Sequence, residues 1–328
     1  MPTFGLEEEV FVTEPTRPSL RSLYYLARLL ARNPKYYYIH SASNFARLSD
    51  MRHGLMSGIE LSTGVHDSAA DLIEDLKERR NDLAAVASGL IVSAGHLLEH
   101  DTPTNVCGLQ IHLGSTNDKE RTYRNIVHFL PLLMLLTANS PSVNGKRFGK
   151  SYRIYNSFAI GPIASDRTIR FQDIIFSKRL GTIEVRVCDP AWDIARVSLL
   201  VQSLAAIEQL RTDLSFDPAL YNDLRRVSAK EGYTEVHQKL YAELRDLVDV
   251  PEDLFISPPA DTLWSLYETQ GAEAAYSASD NGYRTGVFEP NRMPRRHALI
   301  ECLAGAAGIA GYWVPKLPYY TWKAIVES

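Results

Sequence analysis

The chain has 328 residues, 45% of them apolar and 23% charged, with a net charge of −4. That is the mix of a soluble globular protein with material for a large core, and nothing forces a split, so residues 1–328 are read as a single domain. The charge balance argues against nucleic acid or an anionic membrane as a partner. The cysteines, Cys107, Cys188 and Cys302, are odd in number and lack metal-ligand spacing, which fits a reducing cytoplasm.

A first strand is entered at once, with no basic-then-apolar leader before it. Thr3 to Val12 alternates: Phe4, Leu6, Glu8, Val10 and Val12 share one face, and Gly5, Glu7, Glu9 and Phe11 the other. Glu7 and Glu9 then lie roughly 7 Å apart, two strand residues from each other. A pair of anions so close repels unless a cation or a shared proton sits between them. Glu14 to Pro18 reads as a turn, and Leu20, Leu23, Leu26, Leu29 and Leu30 recur at helical spacing. Tyr36, Tyr37 and Tyr38 follow as a strand or loop with aromatic packing.

Ser57 to Thr63 repeats the alternation, with Glu60 on its polar face. Asp67 or Ser68 caps a long helix carrying Leu72, Leu76, Leu83, Val86 and Leu90. Glu74, Asp75, Lys77, Glu78, Arg79 and Arg80 read as its solvated face. Cys107 to Gly114 sets Gln110 and His112 against Leu109, Ile111 and Leu113. Asp118 starts a further helix, and the oily run Ile126 to Ala138 falls short of the ~20 residues that span a bilayer, so it is a core segment. Ser140 to Arg153 is a loop rich in glycine, serine and cations, a composition that suits phosphate but, without a Walker A sequence, also a plain basic loop.

Gly181 to Asp189 is the cleanest alternation: Ile183, Val185 and Val187 oppose Thr182, Glu184, Arg186 and Cys188. Cys107 and Cys188 lie on expected strands and read as small buried hydrophobes rather than nucleophiles. A helix follows with Ile194, Val197, Leu200, Val201, Leu204 and Ile207. The pattern stays helical from Pro218 to Glu273, loop-like from Ser277 to Arg296 with Asn281, Arg284, Arg292, Arg295 and Arg296, and helical again from His297 to Tyr312. There is no internal repeat. The strands fall mainly in residues 1–193, and residues 194–328 form a helical C-terminal part.

The four alternating stretches share one design, an apolar face and a face bearing Glu, Gln, His or Arg. Joined in one antiparallel sheet, they give an oily side for helices and a polar trough. Glu7, Glu9, Glu60 and Glu184 in that trough are candidate ligands for Mg²⁺ or Mn²⁺, which prefer oxygen. His112 is a candidate added ligand or orienting group, a structural histidine being the alternative. Arg153, Arg186 and Arg284, with Lys146, Arg147 and Lys150, are candidates for binding phosphate or carboxylate. Carboxylate-held metal facing a basic loop is the arrangement that phosphoryl transfer from ATP needs.

Gly5-Leu-Glu-Glu-Glu9 resembles the G-x-E-x-E opening of the glutamate-cysteine ligase family, in particular its short carboxylate-amine ligase branch. Gly108-Leu-Gln-Ile-His-Leu-Gly114, Leu136-Thr-Ala-Asn-Ser-Pro141 through Gly149-Lys-Ser-Tyr-Arg153, and Thr182-Ile-Glu-Val-Arg-Val-Cys-Asp189 match further motifs in order. Glu60-Leu-Ser-Thr-Gly64 and Asn281-Gly-Tyr-Arg284 are fainter matches. The likeness covers residues 3 to about 193 and thins beyond, which leaves the amine pocket unread.

This resemblance implies an α+β, glutamine synthetase-like fold, an antiparallel sheet funnel with helices packed outside. It also implies an ATP- and Mg²⁺-dependent ligase that phosphorylates the γ-carboxylate of glutamate, the acyl phosphate then being attacked by cysteine or another small amine. Glu7, Glu9, Glu60 and Glu184 would bind metal. Arg153, Arg186 and Glu184 would serve the transfer, and Arg153, Lys150, Arg284 and His112 would face nucleotide or substrate. The expected surroundings are small-molecule substrates in the cytoplasm, with homo-oligomerisation open. Gln110 stands where that branch carries a first histidine, so a non-catalytic nucleotide- or amino-acid-binding homologue is an alternative. A metal-dependent small-molecule phosphotransferase is another.

Overall fold

The computed structural model describes residues 2–13, 21–39, 58–100, 106–116, 118–161, 172–177, 179–291, 298–316, 318 and 322. The expected turn at Glu14–Pro18 and the arginines Arg292, Arg295 and Arg296 lie outside them.

Strand β1 (Thr3–Thr13) organises the sheet. On one edge it pairs antiparallel with β3 (Gly58–Ser62), which is flanked by β2 (Tyr37–Ile39). Its other edge takes β4 (Leu90–Val92) at one end and β5 (Leu109–Gly114) at the other. Beyond the basic hairpin strands β6 (Ser142–Val143) and β7 (Lys146–Arg147), β8 (Ile174–Ser177) and β9 (Thr182–Cys188) complete the sheet, β9 lying against β5. The order is β2-β3-β1-β5-β9-β8, with β4 alongside β1. The four alternating stretches of the sequence are thus the four central strands. Leu90, expected on a helix, begins β4 instead. In β9 the alternation breaks at a bulge, so Val187 and Cys188 both enter the core.

The apolar side carries Phe4, Leu6, Leu109, Ile111, Leu113, Ile183 and Val185, all buried. Helices α2 (Ala69–Val86), α3 (Lys119–Leu133), α5 (Ile194–Glu208), α6 (Pro218–Lys230) and α7 (Glu235–Leu244) supply the other half of this core. Each fully buried aliphatic or phenyl side chain contributes about 1.5–3 kcal/mol. Side chains cap the helices as the sequence suggests: Ser68 Oγ accepts Asp71 N–H at 3.1 Å and Asp118 accepts Arg121 N–H at 3.0 Å. Val10, Val12, Ile59 and Leu61 pack with α1 (Arg21–Arg32) in a second core.

The C-terminal part departs from the sequence reading. Between the short helices α4 (Tyr152–Tyr155) and α8 (Asp253–Ile256) and the terminal α10 (Ala298–Trp313) lies α9 (Pro259–Thr285), which takes in Ser277 to Thr285 of the stretch read as loop. Its polar residues are helical because they bond to the sheet: Asp280 accepts Ile91 N–H at 2.8 Å, and Ser279 Oγ accepts Ser93 N–H at 3.1 Å. Gly271 (φ 84°, ψ 177°) kinks α9, and Gly286 (φ 80°) ends it.

The solvated face expected on α2 is corrected as well. Arg79 is 5% exposed and Arg80 is 4% exposed. Glu8 points from β1 into the apolar layer, fully buried, and Arg80 grips it with Nη2 to Oε1 at 2.5 Å and Nε to Oε2 at 2.9 Å. The same guanidinium donates to the carbonyls of Ala191 and Trp192 at 2.8 and 3.0 Å, and Tyr283 Oη donates to Glu8 at 3.2 Å. An anion on the core face of β1 requires a cation from the covering helix.

Removing one member of such a pair strands the other charge. Glu8→Ala is expected to lower the unfolding free energy by about 3–5 kcal/mol. Glu7→Ala, one residue away on the opposite face, should change it by less than about 1 kcal/mol. Urea denaturation of both variants measures the contrast, and equal midpoints would remove Glu8 from the structural role.

Candidate active site

The polar side of the central strands is assembled by register. Glu9 of β1 stands opposite Glu60 of β3, and Glu7 is flanked by Ser62 and Gln110. His112 of β5 is flanked by Gly5 and Glu184. Directly opposed Cβ atoms in antiparallel strands are about 4.5–5.5 Å apart, so these residues form one contiguous wall. At the far end of β1, Phe11 is buried under Leu263, Ala275 and Tyr276 of α9, and the polar stretch stops there.

Donors offset the carboxylates. Gly108 N–H donates to Glu9 Oε2 at 2.6 Å and Gln110 Nε2 donates to Oε1 at 3.3 Å. Arg186 Nη1 binds Glu184 Oε1, and the arginine side chain keeps 32% of its surface exposed. His112 Nδ1 lies 3.2 Å from Thr182 Oγ1. Its Nε2 is buried without a hydrogen-bond partner, 3.8 Å from Glu7 Oε1.

Arg153 enters from α4, whose N-cap is Ser151. Its Nη1 donates to the carbonyls of Val187 and Cys188 at 2.8 and 3.0 Å, and Nη2 to that of Arg186 at 3.0 Å. A Cβ on Gly108 would fall 2.3 Å from Arg153 Nη2 and 3.3 Å from Glu9 Oε2, so the guanidinium fills the side-chain space of residue 108 beside Glu9. Glycine is required there by close approach rather than by backbone conformation.

Four sequence candidates, Lys146, Arg147, Lys150 and Arg284, stand elsewhere. Lys150 Nζ binds both oxygens of Asp261 on α9 at 2.7 and 2.6 Å, and Arg147 Nη2 reaches the same carboxylate at 2.9 Å. The basic segment is therefore a hairpin latched to α9, turning at Asn144 and Gly145, rather than an open phosphate loop. Arg284 donates to the carbonyls of Ala84, Ala87 and Gly89 and pairs with Asp280, closing the C-terminal end of α2. Lys146 is exposed on the hairpin.

Sequence reasoning missed Thr182 and the donor role of Gln110, although both lie on the polar register already visible. It also gave no weight to Asp189, which ends the β9 motif. Burial pushes the thiol of Cys188 up to about 12 and that of Cys107 well above its ordinary value, so neither supplies a thiolate near neutral pH.

Among the described residues no three His, Cys, Asp or Glu side chains stand close enough to enclose an ion as placed. The donor chemistry nonetheless fits a hard divalent cation: carboxylates directly opposed across strands, with an orphaned imidazole nitrogen beside Glu7.

No family model matches the chain. In sequence it is 27% identical, over an aligned length of 183 residues, to a putative glutamate-cysteine ligase 2 of Bradyrhizobium sp. (strain BTAi1 / ATCC BAA-1182); the match covers 46% of this chain and 42% of that protein. In structure it is similar to the glutamate-cysteine ligase of Francisella tularensis solved with AMP, with a TM-score of 0.57 at 10% identity over 95% of this chain and 93% of that one. A bifunctional glutathione synthetase from Pasteurella multocida aligns with a TM-score of 0.49 at 11% identity, over 94% of this chain and 52% of that one. The resemblance seen in the motifs is borne out, and the fold is one shared with glutamate-cysteine ligase.

Gly108→Ala is expected to push Arg153 off its carbonyl acceptors and to lower stability by about 1–3 kcal/mol on urea denaturation. Gly161→Ala, whose Cβ would meet, among the described residues, only Gln172 Nε2 at 3.9 Å, serves as the neutral control. Equal midpoints for the two variants would mean that the guanidinium is not fixed at Gly108.

Proposed function

We propose that this chain, which carries the glutamate-cysteine ligase fold, is an ATP-dependent carboxylate-amine ligase that forms a γ-glutamyl amide from glutamate and a small amine such as cysteine. The observation that carries the reading is the single wall on which Glu7, Glu9, Glu60 and Glu184 meet Arg153 and Arg186, on motifs that match the family in order. The sheet's polar side is then the wall of a glutamine synthetase-like funnel. A cytoplasmic setting suits ATP and free amino acids, and among the described residues no helix is long and apolar enough to cross a membrane.

The reaction has two steps. A γ-carboxylate oxygen of glutamate attacks the γ-phosphorus of ATP, and the bond to the bridging oxygen breaks to release ADP. The amine then attacks the acyl carbon, losing a proton as phosphate departs with the electrons of the C–O bond. Glu7, Glu9, Glu60 and Glu184 would hold Mg²⁺ or Mn²⁺. Such ions supply positive charge that neutralises the phosphates.

The chain's own residues divide the remaining work. Arg186, partly exposed beside Glu184, presents a planar fork to an incoming phosphate or carboxylate. Gln110 and Gly108 hold both oxygens of Glu9 in place. Arg153 offsets negative charge at the floor of the trough, where charge developing in transfer is best stabilised by a fixed donor. His112, with Nδ1 on Thr182, aims Nε2 toward Glu7.

Purified protein with ATP, Mg²⁺ and glutamate, screened against amino acids and amines, is expected to release phosphate with one acceptor class. Glu184→Ala should lower metal-dependent ADP formation by roughly 100-fold while keeping the unfolding midpoint, and Arg186→Lys should lose about tenfold or more, because an ammonium cannot reproduce the fork. Wild-type turnover in Glu184→Ala would take that residue out of the site. ATP binding with no amine-stimulated ADP release by the wild type would make the chain a binder rather than a ligase.

A further inference from the structure

We infer that Asp189 is a positioning residue for the candidate site: its buried carboxylate gathers residues 139–153 at the end of β9 and so holds the Arg153 guanidinium in the space that Gly108 leaves beside Glu9. The inference rests on the ligase reading for its kinetic consequence alone.

Asp189 is fully buried. One oxygen, Oδ2, accepts three hydrogen bonds: Asn139 N–H at 2.8 Å, Ser140 Oγ at 2.6 Å and Ser151 Oγ at 2.7 Å. The other, Oδ1, lies 3.5 Å from Arg153 Nη1. Gly95 keeps this space open, since a Cβ there would fall 2.1 Å from Asp189 Oδ1 and 2.5 Å from Ser140 Oγ.

Ser151 links the carboxylate to the arginine. Its Oγ accepts Ile154 N–H at 3.0 Å and so caps α4, the single turn that carries Arg153. The carboxylate therefore fixes both the base of that turn and the head of its arginine. Main-chain bonds complete the frame: Tyr152 N–H to Ser140 O at 2.8 Å, and Lys150 and Ser151 N–H to Ala229 O, both at 2.9 Å. Among the described residues Asp189 bonds to none of Glu7, Glu9, Glu60 or Glu184, so it acts on the site through Arg153.

An asparagine at this place retains one acceptor oxygen and sets an N–H₂ against donors, so the three bonds to Oδ2 cannot all survive, and those that do lose the strength that charge confers. The consequence is a guanidinium released from its place at Gly108 while the strands stay paired.

The test uses the full-length protein and two readouts. In ¹⁵N-arginine-labelled protein, exchange of the Arg153 guanidinium protons with solvent, assigned by loss of the signal in Arg153→Lys, should speed up about tenfold or more in Asp189→Asn. In steady-state ADP release, Asp189→Asn should lower kcat about tenfold or more in the wild-type background and cause no further loss in the Arg153→Lys background. Unchanged exchange, or the same fold loss of kcat in both backgrounds, would overturn the inference. Should Asp189→Asn fail to fold, Ser151→Ala removes one donor, keeps the carboxylate, and is expected to move both readouts in the same direction. A wild type that turns over no acceptor defeats the ligase reading, and the exchange measurement still decides the placement of Arg153.

Discussion

The buried pair of Glu8 and Arg80 is the contact on which the rest of the arrangement depends. A strand has a side-chain period of two, so a slip of one residue in β1 would carry Glu7 and Glu9 into the core and turn Leu6 and Val10 outward. Apolar matching already opposes that slip. Glu8 adds a specific penalty, because its carboxylate meets a guanidinium fork, a tyrosine hydroxyl and, through Arg80, the carbonyls of Ala191 and Trp192. Taking both ions out of water costs several kcal/mol each, so the pair is weak evidence for stability. Its effect is on register: β1, α2, α9 and the residues after β9 share a single anchor, and the acidic wall opposite inherits its alignment.

The carboxylates of that wall differ in what stands beside them among the described residues. Glu9 has donors on both oxygens and Glu184 has Arg186, while Glu7 lies nearest a histidine nitrogen at a distance too long for a hydrogen bond. Carboxylates placed side by side on adjacent strands repel, and cations nearby offset the repulsion. A nucleotide alone would add negative charge to this surface. Under the proposed reading, a divalent cation bound with it would reverse the balance, which is the physical reason for proposing metal and nucleotide together.

The sequence made the sheet legible because Thr3 to Val12, Gly58 to Ser62, Leu109 to Gly114 and Thr182 to Val187 each alternate, and period two is a local property. It made the wall legible for the same reason. What escaped were residues whose role is set by partners far along the chain. Arg79 and Arg80 lie in a charged stretch that any periodicity count assigns to solvent, and only the core-facing Glu8 shows why Arg80 turns inward. Arg284 and Lys150 look like free cations until Asp280 and Asp261 are brought to them. The stretch after Ser277 reads as loop from its serines, asparagine and glycines, yet Asp280 and Ser279 satisfy the main-chain donors of Ile91 in β4 and Ser93 just beyond it, a tertiary pairing that overrides local propensity.

The arginines of the chain divide by what their five N–H groups meet. Arg80, Arg153, Arg196, Arg225 and Arg284 each gather main-chain carbonyls, tying together segments that lie at least 33 residues apart in sequence. A guanidinium suits that work because it stays charged and projects donors in fixed directions. Arg186 differs: the partner it meets is the acid two residues before it on the same strand, and about a third of its side chain faces the open trough. An incoming anion can compete with Glu184 for that guanidinium without dismantling a turn or a strand end. The structural arginines hold the trough in shape, and under the proposed reading Arg186 is, among the described residues of the trough, a cation able to exchange partners during a reaction.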